Sequence, residues 1–175
     1  MSDDWRAYLD LDDAALLAQC EFDRFRASGP GGQKRNKTDS AVRLRHRPSG
    51  LHGEANEARS QHENRARALR RLRLSLAVTL RAPVDLAAYA PPPVLAEALV
   101  QGRFALAARN ARFPAAVAAL FDVLAACDWR LAEAAPHLGL TTTALGRALE
   151  RELPVFRAAN ERRQALGLPV LHAQR

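Results

Sequence analysis

The stretch Val42-Arg43-Leu44-Arg45-His46-Arg47-Pro48-Ser49-Gly50-Leu51-His52-Gly53-Glu54-Ala55 has the pattern of a β-hairpin. Val42, Leu44 and His46 alternate strictly with Arg43, Arg45 and Arg47, the period of a half-buried strand with one packing face and one basic face. Pro48 fixes the first corner of a turn and Gly50 accepts positive φ at the last, so Pro48-Ser49-Gly50 predicts the reversal. The return strand then passes through Leu51, Gly53 and Ala55. One face packs, and the arginine face is expected to be free for phosphate.

Downstream, Ser60 opens a run in which Leu69, Leu72, Leu76 and Leu80 share one helical stripe, while Arg67, Arg70, Arg71 and Arg73 lie mostly away from it. Ser60 with Glu63 three residues later has the capping-box spacing that starts a helix. Upstream, Asp12 is a suitable N-cap for a short helix running to about Cys20, after which the chain extends through Phe22 and Phe25. These two phenylalanines fall on opposite faces of a strand, which makes that strand the weakest of the set.

Between the two strands lies Ser28-Gly29-Pro30-Gly31-Gly32-Gln33-Lys34-Arg35-Asn36-Lys37. Three glycines and a proline within five positions cannot sit inside a helix or a strand, so this segment predicts an exposed loop. Gln33 hydrogen-bonds without ionising near neutral pH, so chemistry here depends on positioning and dipoles rather than proton transfer. By itself a Gly-rich loop is equally the mark of a flexible connector or a phosphate cradle. Neither nucleotide-loop spacing, Gly-x-Gly-x-x-Gly or Gly-x-x-x-x-Gly-Lys-Ser/Thr, is present, which argues against a nucleotide hydrolase.

Four motifs in order, spread over about fifty residues, carry a resemblance: Ser28-Gly29-x-Gly31-Gly32-Gln33-x-x-Asn36-Lys37, Ser40-Ala41-Val42-Arg43, His46-x-Pro48-x-Gly50 and Arg59-Ser60-Gln61-x-x-Asn64. Together they resemble the catalytic domain of class I peptide chain release factors and of bacterial ribosome-rescue peptidyl-tRNA hydrolases. Lys34 departs from the family, which often has His after the Gly-Gly-Gln tripeptide. The resemblance implies an α+β fold: a small sheet with a packed helix and an exposed Gly-Gly-Gln loop. It also implies hydrolysis of the peptidyl-tRNA ester on the ribosome. Gly31, Gly32 and Gln33 would be the catalytic residues, with no cofactor and no metal. The partners would be large-subunit rRNA and peptidyl-tRNA, contacted through Lys34, Arg35, Asn36, Lys37, Arg43, Arg45, Arg59, Arg67, Arg70 and Arg71.

Charge agrees with such a partner. Residues 24 to 81 hold 15 Lys/Arg against four acids, whereas the first 23 residues carry one base and seven acids. A block of net +11 in a chain of net +7 attracts polyanions in a salt-sensitive, sequence-independent way. A merely solubilising arginine-rich surface is the alternative for any single residue.

After about Arg81 the composition changes. Pro83 and Pro91-Pro92-Pro93 bracket a linker at 83–93, between a domain at 1–82 and an all-helical domain at 94–175 that is rich in Ala and Leu. With 48% hydrophobic residues, each domain has enough apolar surface for its own core. Residues 130–152 resemble a helix-turn-helix, with Gly139 at the turn and Thr141 as cap; Pro136 in the first helix is irregular. Arg147 and Arg151 are offset there by Glu150 and Glu152, which argues against DNA and for a packing or ribosome-docking role.

Cys20 and Cys127 are far apart without a Cys-x-x-Cys partner and read as reduced core residues. His46, His52 and His62 have no zinc spacing, and His46 on the packing face reads as a hydrogen-bonded structural histidine. No apolar signal core or spanning segment is present, so cytoplasmic residence and no membrane partner are expected. The net-acidic first 23 residues are expected to leave no room for a stop-codon-reading domain, and residues 164–175 hold one Lys/Arg rather than a basic tail. Codon-independent rescue of stalled ribosomes is the expectation, and its means of recognition is left open. A non-enzymatic RNA-binding factor and, less favoured, a DNA-binding regulator are the alternatives.

Overall fold

The computed structural model describes residues 6–25 and 41–173. They divide into two compact units, Ala7–Leu76 and, with Arg6, the part from Ala77 onward. The division falls at Ala77, so the stretch 83–93 expected as a linker belongs to the second unit.

The first unit begins with α1 (Ala7–Asp10) and α2 (Asp13–Ala18). Asp12 caps α2 by accepting the Ala15 N–H at 2.7 Å, and the helix ends two residues before Cys20 because Cys20 already opens a strand. Strands β1 (Cys20–Phe25), β2 (Ala41–His46) and β3 (His52–Ala55) form an antiparallel sheet in that order. The alternation read from the sequence holds in β2: Val42, Leu44 and His46 are buried. The reversal after it uses Gly50 at φ +71°, with the Gly50 N–H donating to the His46 carbonyl at 2.8 Å.

Helix α3 (Gln61–Thr79) covers one face of this sheet. Ser60 Oγ accepts the Glu63 N–H at 3.4 Å, the capping expected from their spacing. Leu69, Leu72 and Leu76 are buried as the stripe requires, whereas Leu80 lies one residue past the helix, three before Pro83. Gly53 on β3 is where strand and helix meet backbone to backbone. A Cβ added there would stand 2.2 Å from the Ala68 carbonyl oxygen and 2.5 Å from the Leu72 nitrogen, so only glycine allows this approach.

The second unit is helical but not wholly so. It contains a 3₁₀ turn at Leu86–Ala88, then α4 (Pro93–Ala98), a two-stranded antiparallel ribbon of β4 (Leu99–Val100) and β5 (Arg103–Phe104), and helices α5 (Phe113–Ala126), α6 (Leu131–His137), α7 (Thr142–Leu149) and α8 (Leu153–Ala165). The ribbon corrects the all-helical expectation; strands of two residues are too short to leave an alternating pattern. Helix α5 is apolar almost all round and buried along most of its length, as a central core helix must be.

The helix-turn-helix reading of 130–152 corresponds to α6, a turn with Gly139 at φ +62°, and α7, capped by Thr141 Oγ1 accepting the Ala144 N–H at 3.1 Å. Pro136 is tolerated because it sits in the last turn of α6. Both Pro136 and Ala132, whose carbonyl would have received the missing N–H, are exposed to water. Among the described residues no helix is long and apolar enough to cross a membrane.

Candidate functional site

The segment expected to carry chemistry, Gly31, Gly32 and Gln33, lies outside the described residues, as do Lys34, Arg35, Asn36 and Lys37. What is on view is the frame from which that segment departs. Phe25 at the end of β1 and Ala41 at the start of β2 are register partners, so both ends of the segment are anchored at adjacent points of one sheet.

Two of the four sequence motifs turn out to build that frame. His46 is fully buried, with Nδ1 2.8 Å from Ser49 Oγ and Nε2 2.9 Å from Gln19 Oε1, while the Tyr8 ring meets it edge-on with centroids 4.6 Å apart. Burial holds the imidazole below its ordinary pKa, so it is a neutral brace between the hairpin turn and the end of α2. Asn64 is also fully buried: its Oδ1 accepts the Ala58 N–H at 2.9 Å and its Nδ2 donates to the Ala58 carbonyl at 2.8 Å. That two-point clamp fixes the bend between β3 and α3.

The outer face of β2 is not bare arginine. Register places Arg43 opposite Asp23 and Glu54, and Arg45 opposite Glu21. Arg43 Nε donates to Glu54 Oε1 at 2.5 Å and its Nη1 lies 3.8 Å from Asp23, while Arg45 Nη1 lies 3.7 Å from Glu21. The expected phosphate-ready face is therefore largely neutralised across strands, a pairing that sequence spacing does not reveal because the partners are brought opposite only by register.

On α3 and the bend before it the positions separate further. Arg71 donates to the Glu54 carbonyl at 2.6 Å and pairs with Glu57. Burial acts to raise the Glu57 carboxyl, but the hydrogen bond and charge of Arg71 together with the backbone N–H groups of Glu57 and Asn56 outweigh it and leave Glu57 below its ordinary value. Arg67 is loosely paired with Glu63 at 3.9 Å. Arg73, which sequence grouped with the basic side, is inward: it donates to the Leu9 and Leu11 carbonyls and to Asp13. Arg59 and Arg70 are exposed and, among the described residues, have no acidic partner, so of the arginines expected to contact RNA they are the most available to a phosphate.

Sequence reading passed over Phe22. Its register partner is Leu44, so it points to the helix-covered face, yet it stands on the edge strand and remains 41% exposed. The guanidinium groups of Arg24 and Arg65 lie 5.5 Å and 5.7 Å from its ring centre. An exposed ring between two cations is the kind of surface on which a nucleic-acid base stacks. Alternation could have assigned the face, but only the strand order shows that it is uncovered.

The thiols of Cys20 and Cys127 are both free, and burial pushes each up from its ordinary pKa, which keeps them protonated and poorly nucleophilic. Among the described residues no group of three or more His, Cys, Asp or Glu side chains is placed to hold a metal ion.

Comparison with known proteins agrees with this frame. Residues 15–85 match the model of the RF-1 domain. The chain is similar to peptide chain release factor 1 of Nitrosospira multiformis, at 52% identity over 61 residues, 34% of this chain and 17% of that protein. The corresponding protein of Verminephrobacter eiseniae is 56% identical over 59 residues, 34% of this chain and 16% of its own length. That of Leptothrix cholodnii is 60% identical over 52 residues, 30% of this chain and 14% of its own length. The chain thus spans about a sixth of the length of the curated relatives it matches. No solved structure matches it. The sheet, the capped helix and the Gly-Gly-Gln segment between β1 and β2 all fall inside the matched range, so residues 15–85 match an RF-1 domain and are similar there to class I peptide chain release factors.

Proposed function

We propose that this protein hydrolyses the ester between a nascent peptide and tRNA in the ribosomal peptidyl-transferase centre, and that it does so without reading a codon. The observation that carries the proposal is the intact Gly31-Gly32-Gln33 tripeptide between two strands of an RF-1 domain, followed by Asn36 and Lys37.

In this reading Gly31 and Gly32 let the backbone approach the tRNA 3′ end, where a Cβ would collide. Water attacks the ester carbonyl carbon, and the Gln33 backbone N–H stabilises the oxyanion of the tetrahedral intermediate. The bond to the tRNA oxygen then breaks, and that oxygen leaves as a hydroxyl with a proton from the attacking water. The Gln33 side chain shapes the water's access. His46 takes no part, since both its ring nitrogens are held within the frame. Arg59, Arg70 and the Phe22 surface supply RNA contacts, and Arg67 and the residues Lys34 to Lys37 are further contacts.

Ribosomes stalled with labelled peptidyl-tRNA test the reading. The parent protein releases peptide on truncated messages and on sense codons alike. Gly32→Ala and Gln33→Pro, which removes the donating N–H, lower the rate on the order of 10² to 10³. Release confined to stop codons would remove the codon-independent part. Ribosome binding without any release would favour the non-enzymatic RNA-binding role, for which the same exposed arginines suffice.

A further inference from the structure

We infer that the second unit holds a phosphate-binding cleft of its own and uses it to grip an RNA backbone. The cleft, of ≈ 310 Å³, lies between the β4–β5 ribbon and α7, and its walls include Arg103, Phe104, Thr141, Thr143, Arg147 and Arg151. No carboxylate lines it.

The ribbon places the first of its three guanidinium groups. Gln101 and Gly102 both have positive φ, +49° and +68°, the mark of the tight two-residue turn that matches strand twist, and Arg103 follows at once. Arg147 stands in the last turn of α7 and Arg151 follows two residues beyond the end of that helix, and both line the cleft. Arg151 is held by donating to the Phe104 carbonyl, with its guanidinium 5.8 Å from the Phe104 ring centre. Arg103 and Arg147 are exposed and have no acidic partner among the described residues.

The balance of charge read along this helix divides by face. Glu150, which offsets the arginines in sequence, lines a separate cleft with Leu131, Gly146 and His172. Glu152 lines neither cleft and no carboxylate stands among the arginines that line the first; converging like charges of this kind are relieved by an anion. The helix end is not what binds, since the Ala144 N–H is already taken by Thr141 Oγ1. That hydroxyl keeps its own proton to donate, and Thr143 adds another. Forked guanidinium donors flanked by hydroxyls, on exposed side chains, suit the successive phosphates of a polymer better than an enclosed metabolite. Preference for RNA over DNA rests on the function proposed above, whereas the phosphate cleft itself does not.

The test is fluorescence anisotropy of the full-length protein with a labelled RNA hairpin and with a DNA duplex of the same sequence, across a range of salt. Arg103→Ala with Arg147→Ala removes two contacts and spares Arg151, which is tied into the ribbon. Each lost contact weakens RNA binding about five- to eightfold near 0.1 M salt and lowers the slope of log K against log salt by about one. Arg147→Lys in the Arg103 parent background retains most of the binding, which shows that charge at this place is what matters. Unchanged affinity and slope in the double variant, with an unchanged melting curve, would overturn the cleft. Loss confined to the DNA duplex would overturn the choice of RNA. Peptide release is measured separately, so a chain that binds RNA through these arginines and fails to release peptide contradicts only the hydrolase proposal.

Discussion

Gly53→Ala should be the most damaging one-carbon change in the first unit. The new Cβ would stand 2.2 Å from the Ala68 carbonyl oxygen, 2.5 Å from the Leu72 nitrogen and 3.0 Å from Leu72 Cα. Ordinary contact begins near 3.5 Å, so β3 and α3 must part by about 1 Å. Overpacking usually costs about 1–3 kcal/mol, and here the opposing atoms are helix backbone, which no side-chain rotation moves aside. The loss should reach about 3 kcal/mol or more, because Leu69 and Leu72 also withdraw from Val42, Leu44 and Ala55 when the helix lifts. For a unit of this size that corresponds to a melting temperature lower by roughly 12–24 °C. Far-UV circular dichroism melts, with hydrogen exchange of the β2 and β3 amides to assign the transition, provide the measurement. Gly50→Ala is the internal control: no atom lies within 4 Å of its Cβ, and only the positive φ of +71° opposes it, at about 1–2 kcal/mol. A Gly53→Ala protein that melts with the parent, or Gly50→Ala proving the worse of the two, would refute the reasoning.

Two further outcomes follow from buried polar groups. Because the folded pKa of His46 is depressed below its ordinary 6.5, the unfolded chain binds the proton more readily, so the first unit should lose stability as pH falls below about 6.5 and be insensitive to this group above it. The part of the pH dependence that disappears in His46→Gln isolates the effect, and an identical profile in that variant would contradict it. In the second unit, Asp122 is buried on α5 and accepts from Arg6 Nη2 at 2.8 Å, Arg81 Nη1 at 3.1 Å and the Ala82 N–H at 3.0 Å. Burial also pulls Arg81 down to about 10, with Asp122 opposing the shift. Asp122→Ala leaves that guanidinium buried and should cost about 3–5 kcal/mol, read as a lower urea midpoint for this unit, whereas a loss below 1 kcal/mol would show the charge to be solvated.

What the residues disclosed in advance was local. Strict alternation from Val42 to Arg47 could mean only a strand with one buried face, and Ser60 with Glu63 located the start of α3, because both signals are written within a few neighbouring positions. Thr141 and Gly139 marked the helix-turn-helix for the same reason. Nonlocal pairing was illegible. Nothing in the spacing says that Asp23 and Glu54 flank Arg43, that Arg73 turns inward to Leu9 and Leu11, or that Phe22 stands uncovered at an edge. Likewise nothing in the spacing singles out Arg103, and the Gln101–Gly102 turn is what brings it into one cleft with Arg147. Net charge along a helix concealed which side carried it.

The facing of Phe25 and Ala41 has an experimental consequence. Since the register pairs among the described residues suffice to hold β1 against β2, the length of the intervening segment and the integrity of the sheet are separable variables. Doubling a closed segment costs only about 0.6 kcal/mol in closure entropy, so insertions and deletions there should leave the domain folded while changing how far its tip can travel. A length series through this segment would then act as a ruler: the number of residues at which peptide release fails would measure the distance between the docked sheet and the ester.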